Sequence, residues 1–252
     1  MRVLVSIDDT DNIDVKRGTG ELAAMLADAI EEKGWGISEP VTRHQLLVHP
    51  DIPYTSHNSS MCFKAEIAPS RLEQLIDFAS DFLVKESAAG SDPGLCVVVI
   101  DRLARPGWLI AFGYSAKLEV LTKDYAYGLA EELKIHLSEH GGTGDGIIGA
   151  MAGAGLRLSG NDGRFRGKLK IKPEYEVASV NEILAKSRSN IRVDIVKSLE
   201  AGHILKENEL VRLGETVKPV LMGGKSVLLV SPAITDQEAA WITLSKNQLK
   251  DY

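Results

Sequence analysis

Cysteine is scarce in this chain of 252 residues. Cys62 and Cys96 are the only two, and they form no CxxC pair. A cysteine-built zinc site and a disulfide framework are therefore excluded. Long apolar runs are absent too: no window approaches the roughly 18 apolar residues that a membrane-spanning helix needs. The opening "MRVLVSIDD" lacks the extended apolar segment of a signal peptide and reads as a short charged strand. Positive charge is in deficit, with 29 Lys and Arg against 35 Asp and Glu, a net charge of −6. A protein whose main task is coating nucleic acid needs a dense positive surface, so that class is set aside; a local basic groove remains compatible. Hydrophobic content of 44% and charged content of 25% are those of a soluble globular protein, for which a cytoplasmic location is expected. The length suits one large domain or two smaller ones, each with its own core.

What is present begins at residues 3–12, "VLVSIDDTDN". An apolar run leads directly into Asp8, Asp9 and Asp11. Three neighbouring carboxylates repel one another, so the cluster calls for a positive partner or for backbone N–H groups capped in a turn. Carboxylates are hard oxygen ligands suited to Mg²⁺, which keeps several waters and takes one or two carboxylates plus substrate phosphates. Lys16 and Arg17 follow, then Gly18-Thr19-Gly20 at the start of a helical pattern. A helix amino terminus with bare amides is an anion site. The two features together suggest a metal–phosphate site on one loop.

Further along, Leu22, Met25, Leu26, Ala29 and Ile30 recur at helical spacing, and Gly34 ends that helix. Residues 41–48 read as a second strand, which makes a β–loop–α–β unit with its ligand expected beyond the strands' carboxyl ends. Residues 49–60 are turn-rich; 61–68 and 95–101 read as strands. A helix opened by Pro69 and Ser70 lies between those two. The apolar segment 108–122 is ambiguous. An amphipathic helix is expected from Lys123 to the glycines after His140. "GGTGDG" (141–146) then runs into a short helix of small residues. Asn161-Asp162-Gly163 is a hairpin signal. Beyond Pro173, Ser179 and Glu182 stand at capping-box spacing. A helical piece is expected near 193–201, and two strands around Gly223-Gly224. The expected division is 1–173 and 174–252.

The second glycine loop lacks the Lys and Ser/Thr of a P-loop, so it is no Walker motif. Close helix packing explains such a loop as well as ligand binding does, and Gly149, Ala150, Ala152, Gly153 and Ala154 support packing in part. "GGKS" (223–226) is a decoy, because a β-type segment follows it. "HLSEH" (136–140) fits the H-x-x-E-H pattern of a class of zinc peptidases. It is kept as a minor alternative, with no clear third ligand. Arg164, Arg166, Lys168, Lys170 and Lys172 alternate along one strand face and are a candidate contact for polyphosphate or RNA.

"IDDTD", "HPDIPYTSHN", "DPGLCVVVID" and "GDGIIGAMAGAGLRL" stand in an order that resembles the archaeal agmatinylcytidine synthases, which modify an isoleucine tRNA with ATP and agmatine. The resemblance covers roughly residues 1–160. It implies an α+β fold with mixed sheets: a kinase-type module over 1–173 with a ferredoxin-like portion at about 61–140, then a small C-terminal α/β region. It further implies that Asp8, Asp9 and Asp11 hold Mg²⁺–ATP and carry the chemistry. Gly144, Asp145 and Gly146 would line the nucleotide site, and Arg17, Gly18, Thr19 and Asn58 are further candidate contacts to the nucleotide. The family's paired threonines after the acidic loop are replaced by the single Thr19, and the four-cysteine zinc ribbon is missing. The expected function is therefore phosphoryl or nucleotidyl transfer from ATP to an unknown small acceptor, with no tight tRNA binding. The alternative is a nucleotide- or RNA-binding module without catalysis.

Overall fold

The computed structural model describes residues 1–12, 17–52, 58–167, 176–187, 191–214, 217–234, 238–250 and 252. Two compact units divide the chain, Met1–Ser159 and Gly160–Tyr252. The division falls before the basic stripe rather than at residue 173.

The first unit contains, in chain order, β1 (Arg2–Asp8), α1 (Thr19–Glu32), β2 (Gly36–Ser38), β3 (Thr42–Gln45), β4 (Ser59–Ile67), α2 (Leu72–Glu86), β5 (Gly94–Val99), α3 (Pro106–Ser115), α4 (Lys123–Leu133), β6 (His136–Glu139) and α5 (Gly146–Ser159). Its strands lie in the order β6-β5-β1-β4-β3, with β2 beside β3 on the same edge of β4. Every pairing among them is antiparallel. It follows that β1 and β3 run the same way with β4 between them, and that β4 and β5 run the same way with β1 between them. These are two interleaved split β-α-β units, the β-α-β-β-α-β pattern of ferredoxin-like folds. The pattern spans β1 to β5, whereas the sequence placed a ferredoxin-like portion at about 61–140. The expected β–loop–α–β unit is present in split form, with β4 inserted between β1 and β3.

β1 is buried on both faces, which explains its apolar run. Side chains alternate across a strand. Val3, Val5 and Ile7 therefore join Leu22, Leu26 and Ile30 of α1 and Leu75, Ala79 and Leu83 of α2 in one core. Leu4, Cys62, Cys96 and Val98 join α3, α4 and α5 in the other. The unit is a sheet covered by helices on both faces.

Three local expectations are corrected. The helix from Lys123 stops at Leu133, because Lys134 turns left-handed at φ 54° and closes it. Residues 136–139 instead alternate as edge strand β6 against β5. Asn161-Asp162-Gly163 joins no hairpin. Asn161 Oδ1 accepts from the Gly223 amide at 2.8 Å, and the Gly163 carbonyl accepts from Leu221 at 2.8 Å. Residues 195–198 are a strand, not part of a helix: Val196 is buried and pairs with Leu228.

The second unit holds β7 (Arg164–Phe165), β8 (Val177–Ser179), α6 (Val180–Lys186), β9 (Ile195–Ser198), β10 (Leu210–Arg212), β11 (Val220–Met222), β12 (Lys225–Pro232) and β13 (Trp241–Thr243). β12 pairs with β11 and then β13 along one edge and with parallel β9 along the other; β7 pairs with β11, and β10 lies between β13 and β8. The capping box of Ser179 and Glu182 opens α6. Gly223 and Gly224, at φ 58° and 70°, make the turn between β11 and β12 with the left-handed pair such hairpins need. Phe165, Ile183, Val211, Leu228 and Val230 are in its core. Among the described residues no helix is long and apolar enough to cross a membrane.

Candidate functional site

Period two along β1 places Asp8 on the same face as Leu4 and Ser6, the face covered by α5. Helix and strand approach closely because α5 has glycines where they meet. A Cβ at Gly149 would fall inside the Asp8 carboxylate. One turn later, a Cβ at Gly153 would crowd the buried hydroxyls of Ser6 and Ser60. α5 thus runs back along β1 with its amino end at Asp8. Gly146, its first residue, is pressed against the Asp92 carbonyl, and Gly94 against Gly146. The glycines are packing residues, and that packing sets a helix amino terminus beside an acidic cluster.

The acidic loop is shaped by its own backbone bonds. Asp9 adopts φ 50°, a left-handed conformation that Asp tolerates better than most residues, and its amide donates to Asp8 Oδ1 at 2.9 Å. Asp11 Oδ2 accepts from the Thr19 amide at 3.3 Å, so it satisfies the start of α1. Thr10 donates to the Thr19 hydroxyl at 3.1 Å. The turn-capping role weighed from sequence is therefore realised at Asp11, on an amide that the anion-site reading assigned to a ligand.

Asp92 was not among the sequence candidates. It accepts from the amide and, at 2.9 Å, the hydroxyl of Thr143, and that hydroxyl lies 3.0 Å from Asp145 Oδ2. Only the pairing of Asp8 with Gly94 brings Asp92 to the end of β1. Burial, reinforced by the Asp9 charge, pushes the Asp8 carboxyl up to about 8. Burial first, then the charges of Asp92, Asp11 and Asp145, push Asp9 up to about 6. Each shift marks a place where a proton or a cation offsets concentrated negative charge.

These groups open into a cleft of about 600 Å³, within the range of small-molecule sites. Leu46, Met61, Ala116, Val120, Leu121 and Ile148 add apolar lining to the carboxylates and glycines. Among the described residues, eight acidic ones line the cleft against two basic ones, Arg43 and Lys123. Of the sequence candidates, Asp8, Asp9, Asp11, Gly18, Thr19, Asn58, Asp145 and Gly146 line this cleft. Asn58 also clasps the start of β4, its Nδ2 donating to the Leu47 carbonyl at 2.6 Å. Gly144 stands off the lining against Glu139. Arg17 is outside it, paired with Glu86 at 2.9 Å. Lys16, His57, Lys168, Lys170 and Lys172 lie outside the described residues.

Among the described residues, no three His, Cys, Asp or Glu side chains are set to hold a metal ion as they stand. The donor set is nonetheless of the hard oxygen type, and its raised carboxyls suit a cation. The H-x-x-E-H reading is corrected: His136 opens strand β6 and His140 directly follows it, each 2.8 Å from the Ser138 hydroxyl, and no zinc-binding helix forms.

No protein-family model matches the chain, and no curated protein matches it. Solved structures do. Apo TiaS, an agmatidine synthetase acting on an isoleucine tRNA, is 27% identical, with a TM-score of 0.51 over 62% of this chain and 35% of that one. The complex of TiaS with that tRNA and ATP gives 26% identity and a TM-score of 0.53, over 62% and 36%. A tRNA fluorescent labeling enzyme gives 28% and 0.51, over 62% and 36%. The fold is TiaS-like. The match takes in little more than a third of the length of those proteins. The α+β class expected from sequence is the class observed.

Proposed function

We propose that this chain binds a magnesium nucleotide in the first unit's cleft and transfers a phosphoryl or nucleotidyl group from it to a small acceptor. One observation carries the reading: Asp8, Asp9, Asp92 and Asp145 converge at the amino end of α5. Structures of TiaS include complexes with ATP and with AMPCPP and agmatine, which supports a nucleotide here. Asp8, Asp9 and Asp11 would hold Mg²⁺ together with phosphate oxygens. A cage built from protein alone is not required, because Mg²⁺ usually keeps waters and takes one or two carboxylates. The metal would neutralise phosphate charge, the largest task in such transfers. The chain's own contribution is positioning. The amino end of α5 favours an anion through its free amides and dipole. Arg43 on β3, which donates to the Ser59 hydroxyl at 3.0 Å, offers counter-charge. The apolar lining residues, among them Leu46, Met61, Val120 and Leu121, would shield part of the ligand from water.

The acceptor is a small molecule of unassigned identity. Tight tRNA binding is not expected at a net charge of −6. Any RNA contact would fall to Gly160–Tyr252, which has 15 Lys and Arg against 12 Asp and Glu, rather than to Met1–Ser159, which has 14 against 23. A second reading, binding without turnover, is favoured by Thr19, whose amide and hydroxyl are engaged by Asp11 and Thr10. The test incubates the protein with ATP, with and without Mg²⁺, alone and with agmatine and other amines, and follows ADP, AMP, phosphate and pyrophosphate. Magnesium-dependent turnover supports transfer. Binding without turnover selects the second reading. Absence of both removes the proposal.

A further inference from the structure

Lys123 was not singled out in the sequence, where Lys16 and Arg17 stood as the candidate cations. It is the first residue of α4, and the Thr122 hydroxyl caps that helix by accepting from the Tyr125 amide at 3.3 Å. The cap fixes where Lys123 leaves the backbone. Its ammonium donates to the Thr143 carbonyl and lies 3.6 Å from Glu139 Oε2. Thr143 is clasped from the other side by Asp92, through its amide and hydroxyl. Lys123 therefore braces the loop that leads into the amino end of α5. It also lines the cleft, with its side chain 33% exposed.

A brace alone needs no charge, since a neutral donor would serve a carbonyl. Lys123 instead brings a cation to the glycine-loop side of a cleft whose described lining has more acidic than basic residues. Arg43, the other basic residue of the lining among the described residues, sits on β3, and Arg17 is committed to Glu86 outside it. An ammonium has three N–H donors, and Thr143 and Glu139 account for two.

We infer that Lys123 meets an anionic oxygen of the bound nucleotide and positions it against the amino end of α5. The inference rests on the nucleotide reading above and adds the residue that reads the phosphates. It makes Lys123 a phosphate contact as well as a strut.

The experiment compares the parent with Lys123→Met, Lys123→Arg and Glu139→Gln by titration calorimetry. The probes are ATP, tripolyphosphate and adenosine, all with Mg²⁺, and thermal melting monitors the fold. Lys123→Met is expected to weaken ATP and tripolyphosphate in parallel, by about tenfold or more, which corresponds to one charge-assisted contact. Adenosine affinity should stay within about twofold, Lys123→Arg should recover most of the loss, and Glu139→Gln should not reproduce it. Equal weakening of ATP and adenosine, or an equal effect of Glu139→Gln, leaves Lys123 a strut only and overturns the inference. Unchanged ATP affinity in Lys123→Met overturns it too. If ATP binding is then still lost in Asp9→Asn, the nucleotide reading survives without Lys123. A parent that binds neither ATP nor tripolyphosphate overturns both.

Discussion

The two faces of the first unit's sheet are built on opposite terms. One face meets α1 and α2 through branched and aromatic side chains: Val3, Val5, Ile7 and Phe63 against Leu22, Leu26, Ile30, Leu75 and Leu83. The other meets α5 most closely at Gly149 and Gly153, and buries two serine hydroxyls and a carboxylate beneath it. Both faces come from alternate residues of the same strand. The first supplies stability through apolar area. The second gives up side-chain volume so that a helix amino terminus can reach the end of β1. Larger side chains at Gly149 or Gly153 would hold α5 away from β1 and abolish the site.

Substitutions that exchange the two kinds of packing should separate them. The largest effect is expected from Gly149→Val. Its side chain would enter the Asp8 carboxylate, so the variant should fail to fold or lose more than about 4 kcal/mol, with no nucleotide binding. Chemical denaturation and calorimetry check it, and near-parental behaviour would mean that α5 does not press on β1 as described. On the opposite face, Leu26→Ala removes a side chain with 0% exposure. It should cost about 2–5 kcal/mol of stability, while the folded fraction binds ligand as before. A changed affinity would show that the faces are not separable.

Acidity gives a third test. The folded Asp8 carboxyl titrates near 8 against 3.8 when exposed. Between those values the folded state holds one more proton than the unfolded state. Its contribution to stability is therefore full below pH 4 and is lost as pH rises towards 8. With chelator present, the melting temperature should fall across this window, by the equivalent of about 3 kcal/mol between pH 5 and pH 7.5. Asp8→Asn should flatten that slope. An unchanged slope would assign the pH dependence to other groups. The smallest effect is expected from Gly128→Ala in α4, where a Cβ meets nothing within 4 Å. It should stabilise by roughly 0.5–1 kcal/mol, visible as a small rise in the melting temperature.

The stability-bearing face was the easier one to read from sequence. Leu22, Leu26 and Ile30 recur at helical spacing, and the capping box at Ser179 is a local signal that needs no tertiary knowledge. The acidic loop and the glycine loop were each visible as well. Their meeting was a conjecture, because Asp8 and Gly149 come together through the packing of α5 on the sheet. Asp92 could not be recognised without the antiparallel register that sets Gly94 beside Asp8. Lys123 was hidden likewise, on a helix whose end was misplaced. The expected helix through His140 carried a helix-compatible pattern, but the left-handed Lys134 ends it and pairing with β5 claims the rest. At 195–198, strand pairing outweighed a helical reading. Local periodicity finds elements; the site is assembled by pairings between residues far apart in the chain.

The central claim is that the carboxylates at the end of β1 hold a magnesium nucleotide against α5. Calorimetric titration of ATP, with and without Mg²⁺, into the parent and into Asp9→Asn tests it most directly. Asp9 is the carboxylate that feels Asp11, Asp92 and Asp145 together. The account predicts magnesium-dependent binding by the parent, and loss of that binding in Asp9→Asn with the melting temperature maintained. Equal affinity of the two proteins for Mg²⁺–ATP would contradict it.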